Sequence, residues 1–116
     1  MVVKYIIIAG LLIILNGCAG LRQQTGDIFL YQQKIVLAIV YILTDGNVDK
    51  KTETTLYDYE DRIGKSCQAL QEAGYKKMYG QELSMDLKTK IINGLEDCEN
   101  SVREAELYLI ARGFSY

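Results

Sequence analysis

The chain has 116 residues, of which 49% are hydrophobic and 24% are charged, and it contains 10 Gly, 3 Cys and no Pro, Trp or His. This length suits one small domain, and the lack of histidine excludes a histidine base, a histidine metal ligand and a Ser-His-Asp triad. With a formal net charge of -2, the chain has no basic field to hold nucleic acid.

The first 17 residues have the three parts of a secretory signal. Lys4 and the amino terminus form a short positive segment, residues 5–15 form an apolar run, and small residues precede Cys18. The apolar run has the length of a signal-peptide core and is shorter than the roughly 20 residues of a membrane-spanning helix. We therefore predict a signal peptide over residues 1–17.

The string Leu15-Asn16-Gly17-Cys18-Ala19 resembles the lipobox of bacterial lipoproteins, which has an aliphatic residue three positions before a cysteine and a small residue directly before it. The resemblance implies that Cys18 is diacylated, with palmitate or a similar chain, that the chain is cut before it, and that its new amino group is acylated. Ala19 in place of an Asp resembles the signal for sorting to the outer membrane, with the domain facing the periplasm. A plain cleaved signal or an uncleaved anchor is the alternative.

The lipobox accounts for one of the three cysteines and leaves Cys67 and Cys98. An even pair in an oxidising compartment indicates a disulfide, and two buried free thiols are the alternative. On this interpretation residues 18–26 are a lipidated polar tether and residues 27–116 are a periplasmic helical domain.

Residues 27–44 are predicted to form an apolar helix. Asp27 suits its N-cap, and an unbroken apolar run over residues 35–43 leads into a polar segment. The run would also suit a buried strand, but nothing else in the chain offers a partner strand. At this length the helix is too short for a second membrane span.

Two longer helices, over about residues 55–79 and 84–112, are predicted to form an antiparallel hairpin. Apolar residues recur at spacings of three and four through both segments, as on one face of a helix. Start and stop signals bound both segments: Thr55, Gly80, Ser84 and Gly113.

A single register brings the apolar faces of the two arms together. Facing residues of an antiparallel hairpin have numbers that add to a constant, and Cys67 with Cys98 shares this constant with five other pairs: Leu56–Leu109, Ile63–Val102, Leu70–Leu95, Gly74–Ile91 and Met78–Leu87. The register favours a disulfide across the hairpin. The predicted fold is therefore all-α, a small helical bundle in which the 27–44 helix packs on the hairpin.

Catalytic and metal-binding patterns are weak. Residues 45–49 copy the start of a calcium loop, but Lys50 replaces its glycine and Leu56 its closing Glu, so a polar turn is the better interpretation. The acidic clusters fall mainly on the outer face of the hairpin, and neither Cys67 nor Cys98 has an activating base. We expect that the protein has no catalytic residue, metal or cofactor and that it is not an enzyme.

The helix over residues 27–44 is apolar nearly all round, and a two-helix hairpin covers only about half of such a helix. Its remaining surface is expected to meet a partner protein, a second copy or the membrane. Ile35, Ile39, Tyr41 and Ile42 are the predicted partner-binding residues. The nine tyrosines are a second candidate source of interface, with packing inside the bundle as the alternative.

The favoured hypothesis is a membrane-anchored periplasmic lipoprotein that binds to, or helps assemble, an envelope complex. In size, lipobox, helical content and single disulfide the chain resembles the helical pilotin lipoproteins of secretion systems, and this implies binding of a secretin segment. An exclusion or immunity lipoprotein that blocks an incoming toxin or transfer apparatus is the alternative. A catalytic lipoprotein would need a pocket with convergent polar groups. The oligomeric state stays open.

Overall fold

The computed structural model describes the backbone of residues 2–114 and the side chains of residues 24–114. Within this range the chain forms four helices and no strand: α1 (Val2–Asp45), α2 (Lys50–Ser66), α3 (Gln68–Met78) and α4 (Met85–Ala111). The helices pack on one another around a single core. The prediction of an all-α small bundle is confirmed, and residues 35–43 belong to a helix rather than a strand.

The first helix is much longer than the predicted 27–44 helix, although its end agrees to within one residue. α1 is continuous over 44 residues, and the backbone of residues 18–26, predicted as a tether, is helical. No proline interrupts this segment, and its Gln, Arg and Leu residues favour a helix more than its two glycines oppose one. The side chain of Cys18, the predicted acylation site, lies outside the described residues.

The second helix begins at Lys50, ahead of the predicted start, because Asp49 and not Thr55 is its N-cap. The Asp49 carboxylate accepts a hydrogen bond of 2.7 Å from the backbone N–H of Thr52. The Thr55 hydroxyl instead donates to the carbonyl of Lys51, one turn earlier. Hydrogen bonds from the side chain and the backbone N–H of Thr52 lower the pKa of Asp49 below its ordinary value.

The first arm of the hairpin is not one helix, because it breaks at Cys67 between α2 and α3. Cys67 is bonded to Cys98 of α4, and their Cα atoms are 4.7 Å apart. The crosslink between the two arms therefore lies at the level of the break. The apolar periodicity does not reveal the break, because the buried face continues through it.

The register of the hairpin follows the predicted pairing through most of its length. Leu56, Ile63, Val102 and Leu109 are all fully buried. Met78 departs from the prediction, because its side chain is 70% exposed and lies outside the core. Side chains next to the predicted pairs also meet across the arms: Ser66 donates to Ser101 at 2.8 Å, and the rings of Tyr59 and Tyr108 have centroids 5.2 Å apart.

Glycines end three of the helices in the left-handed conformation that L side chains rarely adopt, and Gly46, after α1, has φ 72°. Gly80, after α3, has φ 68°, and Gly113, after α4, has φ 75°. At Gly113 the chain turns back so that the N–H of Phe114 bonds to the carbonyl of Leu109 at 3.0 Å. Ser84 caps the start of α4 by accepting from the backbone N–H of Leu87, so the predicted turn between the arms is present.

The first helix packs along the hairpin and touches all three other helices. The loop of residues 46–49 is short, so α2 runs antiparallel to α1. Farther along the first arm, Phe29 of α1 lies against Gly74 of α3. A Cβ atom at Gly74 would stand 2.4 Å from the Phe29 ring. The absence of a side chain at Gly74 therefore allows α1 and α3 to approach closely.

The disulfide should carry a large share of the stability of this small domain. Cys67→Ala/Cys98→Ala opens a loop with a sequence separation of 31, and we expect a loss of about 3–4 kcal/mol in the free energy of unfolding. Urea titrations with and without reductant measure it. Reductant should destabilise the native chain and leave the double variant unchanged; a native chain insensitive to reductant would indicate two free thiols.

Two helical glycines provide a matched test of the contact between α1 and α3. Gly64→Ala places its Cβ in open space and should stabilise the domain by up to about 1 kcal/mol through helix propensity. Gly74→Ala forces the Phe29 ring out of its place and should be destabilising despite the same propensity gain. Thermal melts of both variants measure the difference, and equal stabilisation would contradict the close approach.

Candidate docking surface

The structure corrects the predicted partner-binding face of the first helix. Ile35 and Ile39 are 0% exposed and Ile42 is 8% exposed, so these three side chains form part of the core. Of the four predicted residues only Tyr41 is accessible, with 74% of its surface exposed. The prediction chose the wrong side of the helix, because a run that is apolar all round does not show which side faces the hairpin.

The opposite side of α1 carries four large apolar residues in contact with solvent. They are Leu30, Leu37, Val40 and Tyr41, with exposed fractions of 67%, 64%, 42% and 74%. Spacings of seven, three and four residues among them place all four on one side of the helix. We call this set the outer α1 face.

A polar signal in the sequence marks the outer α1 face. Asp27, Lys34 and Tyr41 follow one another at seven-residue spacing, so they share one side of the helix. All three are exposed. The two charged residues, which precede the apolar run, therefore indicate its outward side.

A buried glutamine lies on the inner side of α1. Gln32 is 1% exposed, and its Oε1 atom has no hydrogen-bond partner among the described residues. Such a group opposes folding, because a buried acceptor has lost its bonds to water. Because the other core positions of α1 are apolar, this polar residue made the buried side of the helix hard to recognise from the sequence.

The apolar part of the first helix is also longer than the sequence predicts. The part of α1 from Gln24 to Asp45 has 22 residues and contains an 18-residue window with a mean hydropathy of 1.4, which by length and composition alone is enough to cross a membrane. The earlier exclusion of a span on grounds of length was therefore wrong. Core helices of soluble proteins can have the same length and hydropathy. One side of this helix is packed against α2, α3 and α4.

The polar clusters found in the sequence are engaged in local structure. In the predicted polar turn, Asn47 donates to the Asp45 carboxylate at 3.0 Å, and Asp49 caps α2. On the hairpin, the ammonium of Lys65 lies 2.9 Å from the Asp61 carboxylate. Among the described residues no group of three or more His, Cys, Asp or Glu side chains is arranged to hold a metal ion.

The tyrosines divide into packed and exposed groups. The Tyr31 hydroxyl donates to Glu106 of α4 at 2.6 Å, and Tyr59 and Tyr108 stack across the hairpin. Tyr75 and Tyr79 are each 61% exposed at the end of α3. The sequence left open whether tyrosines serve packing or interfaces, and the structure places members in both environments.

No protein-family model, curated protein or solved structure matches the chain.

Proposed function

We propose that this protein is a membrane-anchored periplasmic lipoprotein that docks onto an envelope complex through its outer α1 face. The observation that carries the proposal is the group of exposed apolar side chains Leu30, Leu37, Val40 and Tyr41. Exposed apolar side chains grouped on one surface commonly mark binding sites. The role is binding, as in a pilotin or an accessory subunit, rather than catalysis.

The proposed compartment agrees with the chemistry of the cysteines. The Cys67–Cys98 bond lies across the middle of the hairpin, and both residues are 1% exposed. Disulfides of this structural kind persist in oxidising compartments such as the periplasm and are rare in the cytosol. The lipobox-like string before Cys18 supports the same location.

The outer α1 face is well placed to receive a partner. One side of α1 packs against α2, α3 and α4, and the disulfide and the Phe29–Gly74 contact restrain the scaffold behind it. A rigid helix face loses little conformational entropy when it docks, and this favours affinity. The partner should present a complementary apolar groove or helix.

Acylation of Cys18 is the first test of the proposal. In bacterial cells, Cys18→Ser should abolish both fatty-acid labelling and cleavage after residue 17, so that the variant migrates as the longer, unlabelled precursor. Mass spectrometry of the amino-terminal peptide measures both changes. Cys67→Ala/Cys98→Ala is the control and should remain acylated; labelling that persists in Cys18→Ser would contradict the anchor.

Docking is tested by crosslinking the full-length lipoprotein in envelopes and identifying its partners by mass spectrometry. Leu37→Asp places a charge in the centre of the outer α1 face and should remove the partner. Leu107→Asp is the matched control, because Leu107 is exposed to a similar extent, 58% against 64%, on α4.

Both docking variants should retain the helical circular dichroism signal and melting temperature of the native chain, because both replace exposed side chains. A partner lost only in Leu37→Asp supports docking through α1. An envelope channel or assembly factor would identify an assembly module, whereas a toxin or transfer component would identify an exclusion protein. A partner retained by Leu37→Asp would contradict the proposed face.

A further inference from the structure

A second exposed surface lies at the turn between α3 and α4, which we call the hairpin tip and define as residues 75–90. It carries four exposed large side chains with no role in the core: Tyr75, Met78, Tyr79 and Met85, at 61%, 70%, 61% and 74% exposure. The rings of Tyr75 and Tyr79 pack side by side, with centroids 4.9 Å apart. The tip is therefore an aromatic and apolar projection at one end of the bundle.

The charge of the hairpin tip is opposite to that of the rest of α4. Residues 75–90 contain four lysines against two acidic residues, whereas residues 93–114 contain five acidic residues against two arginines. Lys76 and Lys90 have carboxylate partners on their own helices. Lys77 and Lys88 are exposed and form no ion pair within residues 24–114.

The hairpin tip lies at the same end of the bundle as the amino-terminal part of α1. Phe29 contacts Gly74, and α1 and α3 run in opposite directions because α3 continues the course of α2. Measured from this contact at 1.5 Å per residue, Cys18 lies about 16 Å toward the amino terminus of α1. Tyr79 lies about 7 Å toward the carboxyl end of α3, which is the same direction in space. The tip and the anchoring cysteine therefore face the same side.

We propose that the hairpin tip rests in the headgroup region of the membrane that holds the acylated Cys18. Tyrosines suit this zone because their rings are apolar and their hydroxyls stay hydrated. Lysines beside them attract anionic headgroups over distances of about a Debye length. The occupant of this surface is a lipid bilayer with anionic headgroups, and the contact sets the orientation of the domain, with the loop of residues 46–49 pointing away from the bilayer.

This inference rests on the proposed lipoprotein function, since it needs the anchor at Cys18. It adds that the domain does not tumble freely on its lipid but is held upright by a second contact. The outer α1 face would then be presented along the bilayer surface instead of toward it. Docking and membrane contact use different residues, so each is testable without the other.

The absence of tryptophan from the chain permits a single-fluorophore experiment. Tyr79→Trp places an indole in the tip, and Tyr57→Trp places one at a residue of similar exposure, 54%, on α2. Each acylated full-length lipoprotein is reconstituted into vesicles of phosphatidylethanolamine and phosphatidylglycerol that contain bromine-labelled lipid. We expect the indole at position 79 to be blue-shifted and quenched several-fold more strongly than the indole at position 57.

Charge reversal at the two free lysines tests the role of the headgroups. Lys77→Glu/Lys88→Glu should reduce quenching of the indole at position 79 toward the level at position 57. Lys50→Glu/Lys51→Glu, at exposed lysines beside the opposite end of the bundle, is the matched control and should leave quenching unchanged. Equal effects of both pairs would overturn the charge argument and with it the proposed contact.

The remaining outcomes are also decisive. Equal quenching at positions 79 and 57 in an acylated sample overturns the membrane contact and leaves the lipoprotein proposal intact. A blue shift without bromine quenching, which grows with the protein-to-lipid ratio, assigns the tip to contact between two copies and overturns the inference. A chain that carries no acyl group at Cys18 by mass spectrometry overturns both proposals.

Discussion

The bond between Cys67 and Cys98 is the constraint on which the bundle depends. A domain of this size buries a modest fraction of its surface, and a crosslink across two helices removes much of the freedom of its unfolded chain. The bond draws the arms of the hairpin to a Cα separation of 4.7 Å at the level where α2 ends and α3 begins. The change of helix at Cys67 therefore coincides with the crosslink between the arms.

The first helix completes the core and thereby determines which surfaces remain free. Its inner side supplies Ile28, Ile35, Ile39 and Ile42 to the same cluster as the hairpin residues. Phe29 occupies the space left by the missing side chain of Gly74. Once these positions are filled, the apolar residues on the other side of α1 have no place in the interior. The outer α1 face is thus a direct consequence of how the core is packed.

The two exposed apolar surfaces differ in character, and this difference suggests separate roles. The outer α1 face consists of side chains along one helix. The hairpin tip combines tyrosine and methionine with an excess of lysine in an otherwise acidic part of the chain. An apolar helix face suits a protein groove, whereas an aromatic and basic projection suits the boundary of a bilayer.

Local patterns in the sequence were sufficient for the helical class, the hairpin register and the caps at Ser84, Gly80 and Gly113. Each of these depends on residues close in the chain or on a regular period, so short-range physics determined them. The break at Cys67 and the exposure of Met78 were decided only by the tertiary structure, and within the apolar run of residues 35–43 no charged residue marks which side of α1 is buried. An unbroken apolar run offers several sides of nearly equal burial energy, and only packing against the hairpin selects Ile35 and Ile39 and leaves Leu30 and Leu37 in solvent.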